Sequence, residues 1–478
     1  MRHIAELPTA RAASAPDAPC LADDTTALTN ARFLDRVLAA ASVLHAAGVR
    51  RGDVVAVVLP NRVELVVVLF AAWRLGAAVT PVNPGLTDDD IGFQIADARA
   101  MVVVGDPARA GTTLDVAALA RPAGPVAAAA QGDGVALIIY TSGTTGRPKG
   151  VVLDHDNLSA MCAMVIGALG LDHTDHSLLI LPLFHVNGIV VSVLSPLLAG
   201  GHTTVAGKFS ATGFFDLVER VRPTFFSGVP AVYAMLVAQP ADARPDTSSL
   251  RLAICGAAPM PAELIARFED RFGVPVVEGY GLSEGTCAST LNPVAGQRKP
   301  GTVGLPLPGQ RVTVVDPDGT ELPAGARGEV VVSGPTVMRG YLGRPAETAK
   351  TVREGRLHTG DVGYFDPDGY LVLVDRIKDM IIRGGENLYP KEIENALYAH
   401  PAVHEVAVVG VPDPVLGEVP VAHVVTTDAV TAAELTEHCR ARLAAFKVPA
   451  AVVLTTELPR NPVGKIDKKR LRALAATA

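Results

Sequence analysis

From residue 50 to about residue 290, short runs of β-branched residues alternate with segments of helical periodicity, and few architectures accept such a chain. "VVAVVLP" is followed by "RVELVVVLFAAWRLG" and then by "AAVTPV". Phe214, Leu217, Val218 and Val221 keep the i, i+3, i+4, i+7 spacing of an amphipathic helix. "TFFSGV" then reads as strand, "PAVYAMLVA" as helix and "LRLAICG" as strand. "PAELIARFEDRFG" aligns Leu264, Ile265, Phe268 and Phe272 on one helical face ahead of the strand-like "VPVVEGYG". Repeated alternation implies largely parallel sheets covered by helices, which bind ligands beyond the carboxyl ends of their strands.

The pattern changes after about residue 300. "RVTVVDPDGTEL" and "GYFDPDGYLVLVDR" each place an Asp-Pro-Asp-Gly turn between alternating segments, which predicts hairpins. The shared "DPDG" is turn chemistry, not an internal duplication. Beyond "DRIKD", "KEIENALYAH" reads as helix, "EVAVVGV" as strand, "TAAELTEHCRARLAAF" as helix and "AAVVLTTEL" as strand. The expected fold class is α/β: a large N-terminal domain of helix-covered sheets plus a β subdomain, and a small α+β C-terminal domain. The expected boundaries are 1–376 and 377–478. The alanine-rich stretch 106–134 is expected to be a surface connection.

Hydrophobic residues make up 49% of the 478 and charged ones 19%, enough apolar material for a large core. A net charge of −7 gives nucleic acid no basic face to bind. Cys20, Cys162, Cys255, Cys287 and Cys439 are odd in number and lack metal-ligand spacing, which argues for a reducing cytoplasm and against disulfides or zinc. The N-terminus has no continuous apolar segment of a secretory signal. The most apolar stretch, 178–201, is interrupted by Pro182, His185, Asn187 and Pro196, so it reads as buried core and not as a bilayer span.

One segment conflicts with stable folding on its own account. "YTSGTTGRPKG", residues 140–150, packs three glycines, four serine and threonine hydroxyls, an arginine and a lysine directly after the apolar "VALIIY". Ordering glycine is entropically costly, and close backbone approach to a ligand is the usual compensation. Exposed N–H groups, hydroxyls and a lysine suit phosphate oxygens. The Walker spacing is absent, because Lys149 lies between Pro148 and Gly150. "VVL" follows as another strand, with Asn157 as the expected helix cap, so the loop should join two strands. Taken alone, a structural turn and a phosphate clamp suit this segment about equally.

The string closely resembles the nucleotide-triphosphate loop of the adenylate-forming superfamily of acyl-CoA synthetases, luciferases and peptide-synthetase adenylation domains. Four further segments resemble the family's motifs in the family's order: "EGYGLSE" (278–284), "LHTGD" (357–361), "DRIKDMIIRGGENLYPKEIE" (375–394) and "LPRNPVGKIDKKRL" (458–471). The resemblance spans nearly the whole chain.

The resemblance implies roles. Thr141, Ser142, Gly143, Thr144, Thr145, Gly146 and Lys149 would hold the β- and γ-phosphates of ATP. Gly256, Ala257, Ala258 and Pro259, with Gly279, Tyr280, Gly281 and Leu282, would form the adenine slot. Asp361 would accept the ribose hydroxyls, and Arg376 would contact ribose or phosphate. Glu284 would bind Mg2+, with Ser283, where the family usually has threonine, near the α-phosphate. Lys465 would be the catalytic cation bridging carboxylate and α-phosphate. His185, a fourth candidate in the catalytic set, would border an acyl pocket formed with Val186, Val229, Gly256, Gly279 and Leu282. These residues are apolar or small, and relatives that activate malonate place an arginine at the position of Gly279, so an apolar acid is expected. Lys378 would be the hinge of a mobile C-terminal domain, and Arg383, Gly384, Gly385, Glu386 and Asn387 would receive CoA.

The implied activity is an AMP-forming acid–thiol ligase that adenylates a fatty or aryl acid and transfers it to CoA, with ATP, Mg2+ and CoA as cofactors. The alternative is a stand-alone adenylating enzyme that loads a separate carrier protein. The bland readings remain at this stage: His185 as a core histidine, Lys378 as a surface lysine and Lys465 as part of a solvated basic tail.

Overall fold

Valines on successive positions leave a strand no solvent face, and Val55, Ala56, Val57 and Val58 are all buried. In the computed structural model, which describes residues 3–106, 113–121, 124, 134–141, 147–240, 242–258, 260–384, 386–460 and 466–475, Val54–Val58 pairs in parallel with Ala78–Pro81 on one side and Val102–Gly105 on the other. The intervening helix Val63–Arg74 is apolar and buried from Leu65 to Trp73, and its Trp73 donates Nε1–H to Ala136 O at 2.9 Å.

The chain divides into two compact units, Met1–Val312 with Val331–His358, and Thr313–Val330 with Thr359–Ala478. Among the described residues the first unit holds a seven-stranded and a nine-stranded sheet. Strand β1 (Val135–Thr141) and strand β2 (Lys149–Asp154) are antiparallel neighbours in the seven-stranded sheet, with Thr141 opposite Lys149. The glycine-rich segment therefore joins two strands, as expected. Gly150 is required there, because a Cβ would come within 2.9 Å of Ile138 Cγ2 and 3.3 Å of Tyr140 Cζ.

Three sequence expectations need correction. Helix α1 (His155–Leu169) starts before Asn157. Asp154 is its N-cap, and Asn157 is the reciprocal partner of a capping box, with bonds of 2.7 and 3.0 Å. Within 106–134, Leu114–Asp115 pairs with Val102–Gly105, and Val116 and Leu119 are buried, so this part contributes to the core. Helix Ala432–Arg440 is shorter than expected, and the chain goes on to a separate turn at Ala445–Lys447.

Most of residues 178–201 is buried core, and no helix among the described residues is long and apolar enough to cross a membrane. The nine-stranded sheet contributes β3 (Phe225–Gly228), β4 (Leu252–Cys255) and β5 (Val276–Tyr280), all parallel.

The second unit contains both Asp-Pro-Asp-Gly turns. Asp316 Oδ1 accepts from Asp318 N and Thr320 N, and Asp366 Oδ1 accepts from Asp368 N and Tyr370 N, so the two share one turn chemistry. The second closes a ladder between Asp361–Phe365 and Leu371–Arg376, with a register shift between Val362 and Gly363; the first makes an isolated bridge, Val315 to Glu321. The remainder is an α+β fold in which Val403–Asp413 and Gly417–Thr426 form a long hairpin packed on helices Pro390–Tyr398 and Ala432–Arg440.

Two buried histidines make the first unit sensitive to acid. His155 packs between His3 and Trp73 at ring-centroid distances of 4.3 and 5.4 Å, and His176 stacks on His202 at 4.0 Å. Burial first, then the neighbouring imidazole, lowers His155 from 6.5 to about 3 and His176 to about 4. The unfolded chain thus binds more protons between these values and 6.5. The contribution is complete above about pH 6.5 and is lost as pH falls through that window, by ~1.4 kcal/mol per pH unit for each histidine. Urea midpoints should fall between pH 7 and pH 5, and His176→Gln should flatten the slope. An unchanged midpoint would contradict this.

Candidate active site

The parallel register of β3, β4 and β5 brings Gly228 beside Cys255 and Cys255 beside Glu278. The residues that follow, Val229, Gly256–Ala258 and Gly279–Leu282, consequently emerge together at the carboxyl edge, where such sheets bind ligands. Gly256 faces Gly279: a Cβ on Gly256 would lie 3.6 Å from Gly279 O and 4.0 Å from Asn187 Nδ2. Asn187 accepts a hydrogen bond from Ser227 Oγ at 3.1 Å. Sequence reading missed Asn187, although it stands two residues after His185 in "PLFHVNG".

His185 is half-buried at the start of the helical turn Val186–Ile189, with its ring 4.8 Å from that of Phe184. Val186 is buried and Val229 half-buried. Ala257 and Ala258 are exposed, and Ala257 takes φ +67, a strained value for a residue with a Cβ. Pro259 lies outside the described residues. Tyr280 is buried at the end of β5. Gly281 has a steric reason of its own, since a Cβ would fall 1.8 Å from Cys287 O. Gly279 is similarly confined, by Leu291 Cδ1 at 2.8 Å and Thr290 O at 3.0 Å. A long cationic side chain at 279 would first have to displace Leu291.

Ser283 and Glu284 lie on the short turn Ser283–Gly285. The Glu284 carbonyl accepts from Met338 N at 2.8 Å, and its carboxylate Oε1 accepts from Tyr341 Oη at 2.8 Å. Lys149 pairs with Glu347, and its ammonium is 4.9 Å from the centroid of the Tyr341 ring. The Lys149 hydrogen bond holds the Glu347 carboxyl below its ordinary value. Ser142, Gly143, Thr144, Thr145 and Gly146 lie outside the described residues. Tyr341 and Glu347 were not found from sequence.

In the second unit, the register sets Asp361 opposite Arg376, and Arg376 Nε is 2.6 Å from Asp361 Oδ1. Asp361 is buried, and its N–H is bound by Thr359 Oγ1 at 3.1 Å. Lys378 occupies the turn Ile377–Asp379. Partial desolvation draws its ammonium below the ordinary value; Asp379 opposes this, and Arg376 and Arg472 add to it. Arg383 donates to Phe446 O, Gly384 takes φ +59, and Glu386 is exposed. Gly385, the Asn387 side chain and Lys465 lie outside the described residues. Arg460 and Ile466, which flank the Lys465 segment, are bridged to each other. Lys468 pairs with Glu394 at 2.7 Å and Arg472 with Asp379 at 2.8 Å, so these members of the basic tail are structural.

Among the described residues no group of three or more His, Cys, Asp or Glu side chains could cage a metal.

Residues 9–342 match the AMP-binding enzyme family, and residues 392–465 match the AMP-binding enzyme C-terminal domain. The chain is 42% identical over 479 residues to a feruloyl-CoA synthase from Amycolatopsis sp, covering 97% of both. ATP-bound MatB from Rhodopseudomonas palustris superposes with a TM-score of 0.91 at 34% identity over 99% of both chains. The o-succinylbenzoate CoA synthetase (MenE) from Bacillus subtilis, solved with its acyl-adenylate intermediate OSB-AMP, gives 0.91 at 31% identity over 98% of both. The chain belongs to the AMP-binding enzymes and, among them, to the adenylate-forming acyl-CoA synthetases. It is an acid–thiol ligase of the AMP-forming kind, with ATP, Mg2+ and CoA as its cofactors.

Proposed function

We propose that the acid is an aryl or arylalkenoic carboxylate and that the acyl group goes to free CoA. The adjacency of Gly256 and Gly279, two positions without side chains at one strand edge, carries this reading. The feruloyl-CoA synthase relative supports it. A second carboxylate would be buried there without a cationic partner on Gly279, at considerable cost.

The reaction proceeds in two balanced steps. A carboxylate oxygen attacks the α-phosphorus of ATP and pyrophosphate leaves; then the CoA thiol attacks the acyl carbonyl and AMP leaves with that oxygen. Two anions meet in the first step, so positioned cations and donors supply most of the catalysis. Lys149 neutralises phosphate oxygens, Asp361 accepts from the ribose hydroxyls, Lys465 spans carboxylate and α-phosphate, and Ser283 donates nearby. Glu284 would hold Mg2+, which would supply charge neutralisation on the phosphates. His185 and Val186 border the acyl group. The functional boundary is placed at 376/377, inside the second compact unit, with 377–478 turning about Lys378 to bring Arg383–Asn387 to CoA. Five free, buried cysteines favour a cytoplasmic setting.

The test is a panel of ferulate, other aryl acids, fatty acids and dicarboxylates, assayed for pyrophosphate release with and without CoA. CoA thioester from aryl acids is the expected product. Adenylate that builds up despite CoA would transfer the assignment to a separate carrier protein, and preference for a dicarboxylate would refute the acid class.

A further inference from the structure

The carboxylate of Glu284 and the ammonium of Lys149 come from different sheets, yet one segment touches both. Glu284 stands on the turn after β5, and Lys149 begins β2. Strand β6 (Gly340–Tyr341) pairs antiparallel with β2, Gly340 opposite Val152 and Tyr341 opposite Val151. Arg339 N donates to Val152 O at 3.0 Å and Leu342 N to Gly150 O at 2.8 Å, which extends the attachment on both sides. The same segment grips the Glu284 turn through Met338 N to Glu284 O at 2.8 Å and Thr286 Oγ1 to Thr336 O at 2.5 Å. Tyr341 completes the link: its hydroxyl donates to Glu284 Oε1 while Lys149 lies against its ring.

We propose that Tyr341 is a positioning residue for the magnesium carboxylate, occupying Oε1 of Glu284 so that the other oxygen is presented to the metal of MgATP. This rests on the assignment of Glu284 to Mg2+ made above. A carboxylate with both oxygens free can rotate or chelate in two-point fashion, whereas Mg2+ prefers single-point oxygen ligands in a strict octahedron. A phenol donor removes one of those options and orients the carboxylate plane. Groups that hold a metal ligand in this way cost about 10–100-fold in metal affinity or activity when removed. A phenol O–H is an ordinary hydrogen-bond donor, and Glu284 Oε1 is its acceptor here.

Tyr341→Phe removes one oxygen and keeps the ring against Lys149. The Mg2+ concentration for half-maximal pyrophosphate release should rise at least tenfold, with the KM of the acid unchanged. Binding of Mn2+ to the complex of enzyme with α,β-methylene-ATP, read by the electron paramagnetic resonance signal of free Mn2+, should weaken by a similar factor. In a double-mutant cycle with Glu284→Gln, the two losses should be strongly non-additive, because the phenol acts through that carboxylate. Wild-type Mn2+ affinity in Tyr341→Phe, or strict additivity, would overturn the proposal. Should Glu284→Gln alone bind Mn2+ as the parent does, the assignment of Glu284 itself is wrong, a separate outcome from the failure of Tyr341.

Discussion

Lys465→Ala is expected to lower adenylation by about a hundred to a thousandfold, ~2.7–4 kcal/mol of lost transition-state stabilisation, while transfer from preformed acyl-adenylate to CoA survives. The asymmetry follows from where charge develops. Attack at the α-phosphorus joins two anions, and an ammonium between them is worth most when the new bond is half made. Thiol attack on the acyl carbonyl expels AMP, an already stable anion, and needs no cation at that place. Pyrophosphate release measures the first half-reaction, and thioester formation from synthetic acyl-adenylate measures the second. If both fell by the same factor in a folded variant, Lys465 would be acting on the fold or on both steps, and the assignment of separate chemistries would fail.

Lys378→Pro should show the opposite selectivity: adenylation largely preserved and thioester formation reduced by an order of magnitude or more. Proline removes a donor and fixes φ, so it resists any rotation the backbone must make at that point. Lys378 stands in the short turn Ile377–Asp379, directly after the strand that ends in Arg376. Hinges are turns of this kind, and their substitution separates a conformational step from the chemistry it precedes. Burst kinetics with one equivalent of pyrophosphate and slow thioester would fit. Equal loss in both half-reactions would argue that the turn is merely structural, and unchanged transfer would remove Lys378 as the hinge.

The reasons why some of the site was legible in the sequence are local. "YTSGTTGRPKG" sits between two apolar runs, and the antiparallel pairing of Thr141 with Lys149 follows from that placement. The strands that end in Gly228, Cys255 and Tyr280 are short, mostly apolar runs with a glycine at or directly after the end, so their shared edge could be anticipated. Contacts between distant positions had no such signature. Tyr341 meets Glu284 across 57 positions, and nothing in "MRGYLGRP" announces a hydroxyl aimed at a carboxylate. Glycines carried the opposite difficulty. Gly281 looked like part of a ligand slot, yet backbone packing against Cys287 alone forbids a side chain there. Asp154 both ends a strand and caps a helix, so the chain shows no break in pattern at the true cap, three residues before the expected Asn157. Val116 and Leu119 were hidden among alanines, where hydrophobic periodicity has little contrast.

The attack of a carboxylate oxygen on the α-phosphorus of ATP is the step on which the other residue roles depend. Its most direct test is a single-turnover reaction with ferulate carrying heavy oxygen in both carboxylate positions, together with ATP, Mg2+ and CoA. The expected result is one heavy oxygen in AMP, one in the thioester carbonyl and none in pyrophosphate. Unlabelled AMP, or label recovered in inorganic phosphate beside ADP, would contradict the claim.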